Sequence, residues 1–249
     1  MLELNRISAG YGKQTVLDGI SVDFEKGKLT SIIGVNGCGK STLLKAILGI
    51  LSLSSGEIFI DGENLLTISR NEIAKKIAYL SQGKNIPDMT VEQMVLHGRF
   101  PYLSYPRRYS SHDIEVAIKA MEAVGIAEFA HKPLYSLSGG MRQNAYIAMA
   151  LAQDTDYILL DEPTTYLDIA HQLELMRILR KLADSGKGIV TVMHNLPIAF
   201  DFSDKLTVMS NGKIIAYGTP SEICESHIVE DIFGVKIKQV QKGKYLYEY

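Results

Sequence analysis

Residues 29–48 read Leu29-Thr30-Ser31-Ile32-Ile33-Gly34-Val35-Asn36-Gly37-Cys38-Gly39-Lys40-Ser41-Thr42-Leu43-Leu44-Lys45-Ala46-Ile47-Leu48. The run up to Ile33 has the character of a buried parallel strand, and the run from Leu43 that of a helix. Between them, Gly34 to Thr42 is the pattern G-x-x-x-x-G-K-[ST] in full. Strand, glycine loop and helix in that order make the pattern a phosphate-binding site rather than a chance match. Glycines let the backbone curl so that successive N–H groups point at phosphate oxygens. The helix that begins there adds its positive end. Lys40 is expected at the β- and γ-phosphates and the Ser41 hydroxyl at Mg²⁺. The sequence therefore predicts a nucleoside triphosphate site.

The bulk properties set the frame. The chain has 249 residues, 46% hydrophobic and 22% charged, a globular composition with enough apolar mass for a sizeable core. A net charge of -2 gives no basic excess for nucleic acid. The two cysteines, Cys38 and Cys224, are too few for a disulfide framework and fit a reducing compartment. The first residues lack the basic and apolar regions of a signal peptide, and no stretch is apolar for long enough to span a bilayer. A cytosolic, soluble chain is expected.

Short strands are predicted at Leu2–Arg6, Ser21–Phe24, Leu29–Ile33 and Glu57–Ile60, punctuated by turns at Lys26-Gly27, Ser55-Gly56 and Asp61-Gly62. A short helix over Ser69–Lys76 and a strand over Ile77–Leu80 follow. From Thr90 to about Leu151 the texture is helical, with Ile114, Ala117, Ile118, Met121 and Val124 at helical spacing. An aromatic, basic, proline-punctuated loop, Gly98 to Arg108, interrupts it. The strand Tyr157–Asp161, a helix over Asp168–Asp184 with Ile169, Leu173, Met176, Leu179 and Leu182 on one face, and the strand Ile189–Met193 resume the core. Leu196–Phe200 reads as a short helix, and Asn211-Gly212 joins two strands as a hairpin. Strands alternating with helices imply a mainly parallel sheet covered on both faces. The fold class is α/β, with residues 1–84 and 146–249 as a nucleotide-binding core that carries an antiparallel β subdomain. Residues 85–145 form an inserted helical subdomain.

Two further constellations carry chemistry. Asp161-Glu162 end an apolar strand, at the sheet edge where ligands bind. An aspartate there suits Mg²⁺, and a glutamate beside it suits an attacking water. Leu137-Ser138-Gly139-Gly140-Met141-Arg142-Gln143 sets an N-capping serine before two glycines and a helix. Those glycines cost roughly 1 kcal/mol each against alanine, so a second anion cradle is a better explanation than an ordinary helix start.

With these residues the chain resembles the ATP-binding cassette family over almost its whole length, a P-loop NTPase fold. The resemblance implies that Gly34, Asn36, Gly37, Cys38, Gly39, Lys40, Ser41 and Thr42 form the phosphate loop. Ser138, Gly139 and Gly140 are then the signature that contacts ATP. Asp161 with Ser41 and Gln82 serves Mg²⁺, and Glu162 is the catalytic carboxylate. Gln82 senses the γ-phosphate, His194 grips it, and Tyr11 stacks on adenine. The stretch Tyr166-Leu167-Asp168 crosses to a partner subunit. Cys38 replaces a more usual serine at a position whose side chain points away from the phosphates in the family, so a small residue suffices; Asn144 replaces a frequent arginine, and Asn195 a common aspartate. The two cradles face one way in the family, so ATP is expected between two copies, under Lys40 of one and Ser138 of the other. Charge-assisted hydrogen bonds of roughly 1.5–3 kcal/mol each hold such a pair. ATP should also shield Cys38 from thiol reagents.

The resemblance extends the expectation to partners. Cassettes of this length serve importers, docking a membrane permease near Gln82 to Arg108, where Ile86, Met89, Phe100, Tyr102 and Tyr105 supply apolar surface. A substrate-binding protein joins indirectly, and the chain sits peripherally on the inner face of the membrane. Gly98-Arg99-Phe100-Pro101-Tyr102, Leu151-Ala152-Gln153-Asp154-Thr155 and Glu162 to Gln172 are similar to cassettes of iron–siderophore, haem and cobalamin importers. Ferric siderophores are the first expectation; haem, cobalamin or another metal chelate is the alternative. A soluble repair or translation ATPase is disfavoured by the absence of a heptad run and of a second cassette. A P-loop kinase or GTPase is disfavoured by the signature and His194.

Overall fold

The computed structural model describes residues 1–82, 86–241 and 243–248. The chain opens with β1 (Leu2–Tyr11) and β2 (Gln14–Phe24), then β3 (Leu29–Gly34) and α1 (Lys40–Ile47). Next come β4 (Leu53–Ile60), β5 (Glu63–Asn64), α2 (Arg70–Lys76) and β6 (Ile77–Leu80). A helical stretch holds α3 (Val91–Leu96), α4 (Ser111–Ala123) and α5 (Gly139–Ala152). The chain continues through β7 (Tyr157–Asp161), α6 (Ile169–Asp184), β8 (Gly188–Val192), α7 (Leu196–Phe202), β9 (Lys205–Ser210) and β10 (Lys213–Gly218). It ends with α8 (Pro220–Glu225), α9 (Ile228–Phe233), β11 (Lys236–Gln241) and β12 (Lys244–Glu248).

One six-stranded sheet, in the order β10-β9-β3-β8-β7-β6, is parallel except for the edge hairpin strand β10. A four-stranded antiparallel sheet, β2-β1-β4-β5, covers one of its faces. Strand alternation decides the packing. Leu29 and Ile33 of β3, Ile158 and Leu160 of β7, and Ile189 of β8 enter one apolar cluster. Ile32, Leu159, Val190 and Val192 from the same strands enter the other. The second cluster is closed by α1 and the antiparallel sheet. The first is closed by α3, α4 and α5 together with α6 and α7, so the helical stretch shares a continuous core with the sheet. The expected division at 145/146 falls inside α5, which runs through it. The division at 84/85, with part of the expected docking stretch, lies outside the described residues.

Several sequence expectations are corrected. Ser55-Gly56 is not a turn but lies inside β4. Gly56 (φ 81°) approaches so near to β1 that a Cβ would stand 2.4 Å from the Arg6 carbonyl oxygen. Pairing of β1 with β4 slips between Asn5 and Ser8, a bulge that absorbs the turn signal. On α4 the buried stripe is Ala117, Ala120, Met121 and, just beyond it, Val124, whereas Ile114 and Ile118 are exposed. On α6 Leu175 is buried and Ile169 is exposed. The expected loop at Gly98 begins instead as a 3₁₀ turn, His97–Tyr102.

That turn holds a joint. Arg99 is 4% exposed. Its Nε donates to Asp113 Oδ1 (2.9 Å), and its Nη1 donates to the carbonyl of Ala152 (2.8 Å), the last residue of α5. The guanidinium lies 4.0 Å from the Tyr102 ring centroid, and the Tyr102 hydroxyl donates to the Gln153 carbonyl (3.0 Å). Gln153 Nε2 donates to the Ile77 carbonyl (3.1 Å) where β6 begins. The joint thus ties α4 and α5 to the central sheet. Burial pushes the Asp113 carboxyl up, but the Ser110 hydroxyl and amide and the Arg99 guanidinium outweigh it and hold the group down at about 2. A carboxyl lowered by folding stabilises the native state above its unfolded pKa of about 3.9 and ceases to do so as pH falls through its folded value.

Removing one partner of a buried ion pair costs roughly 3–5 kcal/mol, because the other charge stays behind. Asp113→Ala should therefore lower the urea-unfolding free energy by about 3 kcal/mol at pH 7. The gap between variant and parent should narrow as pH is taken from 4 towards about 2. An unchanged gap across that range would exclude Asp113 as the titrating contributor.

Candidate active site

The parallel register builds the site. Ile32 of β3 pairs with Val192 of β8, Val192 with Asp161 of β7, and Leu160 of β7 with Leu80 of β6. Four strands therefore end together, and the residues just past them, Gly34, His194, Glu162 and Gln82, share one edge. A cleft of ≈ 410 Å³ there is lined by Val16, Asn36, Gly37, Gly39, Lys40, Ser41, Thr42, Gln82, Glu162 and His194. All of these except Val16 are expected from sequence. Val16 reaches the cleft from β2 and carries no sequence signal, being one apolar residue of an ordinary strand.

The loop curls as its glycines demand. Gly37 (φ 78°) and Gly39 (φ 108°) are left-handed, and Gly39 accepts the first helical bond of α1 from Leu43 (2.8 Å). No side chain caps α1, so its first N–H groups face the cleft. Lys40 Nζ donates to the carbonyls of Gly34 (2.8 Å) and Val35 (3.1 Å). Cys38 turns away from the cleft, as its place in the loop implies. Its Sγ packs against Gly34, its side chain is buried, and burial pushes its thiol pKa up, with Lys40 opposing. Cys38 offers the cleft backbone alone, and protection by ATP has no exposed thiol to act on.

The acidic pair is asymmetric. Asp161 is buried beneath the cleft, where Ser41 Oγ donates to its Oδ1 (3.0 Å) and the Tyr79 hydroxyl to its Oδ2 (3.4 Å). Burial pushes its carboxyl up, the two hydroxyls oppose this, and the neighbouring Glu162 charge reinforces it. A buried carboxylate beside a serine hydroxyl is a donor set that suits a hard divalent cation such as Mg²⁺. Glu162 instead faces the cleft with a left-handed backbone (φ 51°). Its carboxylate accepts from Gln82 Nε2 and from Thr165 Oγ1 (3.2 Å), and His194 Nε2 stands 2.5 Å from its Oε1. Tyr79 and Thr165 were missed from sequence; a tyrosine in a strand and a threonine in a loop carry no local signal.

The remaining expected residues lie elsewhere. Ser138 caps α5, accepting from the Met141 amide (3.3 Å), and Gly139 lines a second cavity of ≈ 320 Å³ that also touches Gln82 and Glu162. Neither cavity is lined by both Lys40 and Ser138. Tyr11 is half exposed at the tip of the β1–β2 hairpin and lines neither cavity. Asp168 caps α6, and both its oxygens are taken within the chain, by the His171 amide (2.9 Å) and His171 Nδ1 (2.8 Å).

Comparison with known proteins places this geometry. Residues 17–165 match the ABC transporter family model. The chain is 41% identical over 234 residues to the petrobactin import ATP-binding protein FpuD of Bacillus anthracis, covering 93% of this chain and 86% of the relative. It is 40% identical over 233 residues to the ferric enterobactin transport ATP-binding protein FepC of Escherichia coli (strain K12), with the same coverage of 93% and 86%. Among solved structures, the ADP conformation of an ATP-binding cassette of an ABC transporter superposes with a TM-score of 0.83 at 27% identity, covering 93% of this chain and 95% of that one. Sequence and fold agree, and the chain belongs to the ABC transporter family as an ATP-binding cassette.

Proposed function

We propose that the chain is the ATP-hydrolysing subunit of an importer of ferric siderophores, working as a pair of copies on a separate membrane permease. The single observation behind the hydrolytic part is the convergence of Lys40, Ser41, Gln82, Glu162 and His194 on one cleft. The cargo part rests on the relatives, named for petrobactin import and ferric enterobactin transport. The same reading puts the chain at the inner face of the membrane, held there by the permease. No helix of the described residues is long and apolar enough to cross a bilayer. Residues 85–145 act as the helical subdomain, with the exposed Phe100, Tyr102 and Tyr105 towards the permease.

The residue roles follow from their chemistry. Loop N–H groups and the Lys40 ammonium bind the phosphates of ATP. Ser41 and Asp161 would hold Mg²⁺, with Gln82 nearby; when bound, the ion would supply positive charge against the phosphate oxygens. Glu162 orients a water and takes one of its protons on a carboxylate oxygen as the water oxygen bonds to the γ-phosphorus. The bond from that phosphorus to the β-phosphate oxygen breaks, and ADP leaves with the electron pair. Gln82, Thr165 and His194 fix the rotamer of Glu162, so its base is positioned before substrate arrives. Ser138 to Gly140 serve the ATP of the other copy, a reading supported by Gly139 and Lys40 lining different cavities within one chain.

Three measurements test this reading. Glu162→Gln should cut hydrolysis by at least about 10²-fold, the scale of general-base catalysis, and should elute as a dimer with ATP in size exclusion; a monomer at high concentration would contradict the paired site. Lys40→Ala should weaken ATP binding more than tenfold in equilibrium dialysis, and unchanged binding would remove the loop from the site. A deletion strain should fail to grow on ferric siderophores under iron limitation yet grow on free iron salts; normal growth on every siderophore tried would redirect the cargo to another chelate.

A further inference from the structure

We infer that His171 is a positioning residue that locks the Ser138–Gly140 cradle to the loop before α6 within one chain. The inference rests on the reading of that cradle as the part each copy offers to the other's ATP. Gly140 is buried in the first turn of α5, and its backbone is not left-handed, so conformation does not call for glycine there. Contact does. A Cβ on Gly140 would stand 2.3 Å from His171 Cδ2 and 2.8 Å from His171 Nε2. The imidazole therefore lies directly on the Gly140 backbone. Gly139, by contrast, has nothing within 4 Å of such a Cβ. The first glycine leaves the cradle open, and the second makes room for the ring.

The ring is fixed from its other side. His171 Nδ1 lies 2.8 Å from Asp168 Oδ2, and the His171 amide donates to Asp168 Oδ1. Gln172, the next residue, donates from Nε2 to the Leu167 carbonyl (2.9 Å). The loop so held includes Tyr166, left-handed (φ 67°) and 96% exposed. Two stretches far apart in sequence, Ser138–Gly140 and Tyr166–Asp168, are thus joined through this imidazole, beside the shared core on which Met141 and Leu167 pack. If both approach a neighbouring copy, they do so in a fixed relative position. Within the chain, Asp168 holds His171 through both carboxylate oxygens.

A double-mutant cycle tests the inference. Gly140→Ala should lower kcat at least tenfold by forcing the ring away. His171→Ala should lower kcat several-fold with the KM for ATP within twofold, because the Lys40 cleft is untouched. Joining the two should recover most of the Gly140→Ala loss, since the clashing ring is gone. His171→Asn, whose amide can still donate to Asp168, should retain more kcat than His171→Ala. Additive losses in the cycle would overturn the inference, as would a His171→Ala protein with a lower melting temperature but the parent's kcat. If Gly140→Ala does not fold, the comparison of His171→Ala with His171→Asn decides alone, and equal kcat values count against the lock. The same substitutions in the Glu162→Gln background separate the two levels. If Glu162→Gln itself stays monomeric with ATP, the paired reading fails. If it dimerises and His171→Ala dimerises as tightly, only the lock fails.

Discussion

Everything in this cassette depends on β3 being buried on both faces and ending at a glycine that has no room for a side chain. A Cβ on Gly34 would stand 2.3 Å from the Met209 carbonyl oxygen and 2.7 Å from Cys38 Sγ. The chain can leave the sheet there only as bare backbone, and it then turns through two left-handed glycines into α1. Because β8, β7 and β6 run parallel to β3 in register, their ends arrive at the same edge. One packing constraint thus assembles a loop, two acids, a histidine and a glutamine from segments up to 160 residues apart (Gly34 to His194).

Two of the left-handed non-glycine residues lie beside the catalytic edge of the sheet. Glu162 and Tyr166 are both left-handed without being glycine, a conformation that costs on the order of 1–2 kcal/mol per residue. The turn hydrogen bonds Thr165 N to Glu162 O and Leu167 N to Thr164 O, both 3.2 Å, hold the strained segment. Strain of this kind persists where surrounding contacts over-determine it. Its effect is to aim the Glu162 carboxylate into the cleft while its neighbour Asp161 turns beneath it, so adjacent acids serve different tasks.

The motifs that resemble importer cassettes have a mechanical content. Gly98 to Tyr102 and Leu151 to Thr155 touch through Arg99 on the Ala152 carbonyl and Tyr102 on Gln153. Gly98 itself packs against the Met149 carbonyl, where a Cβ would come within 2.2 Å. The C-terminal end of α5 is therefore clamped at the exposed aromatic turn, while its N-terminal end carries Ser138. Arg99 reads in sequence as one residue of an aromatic, basic loop, and only its burial against Asp113 reveals the joint.

Local sequence determined most strands of the two main sheets, the glycine loop, the caps at Ser138 and Asp168 and the identity of nearly every residue in the cleft, because each rests on contacts within a few positions along the chain; the short β5 and the segment from α8 to β12 carried no comparable signal. It also determined the family, since its motifs are contiguous strings. Tertiary structure alone decided that Asp168 pairs with His171, that Val16, Tyr79 and Thr165 join the site, and that Gly140 is a contact glycine. It likewise decided the buried faces of α4 and α6 and the bulge at Gly56. Each of these depends on what a distant segment brings to within a few ångströms, and periodicity along one segment holds no information about its neighbour across the fold.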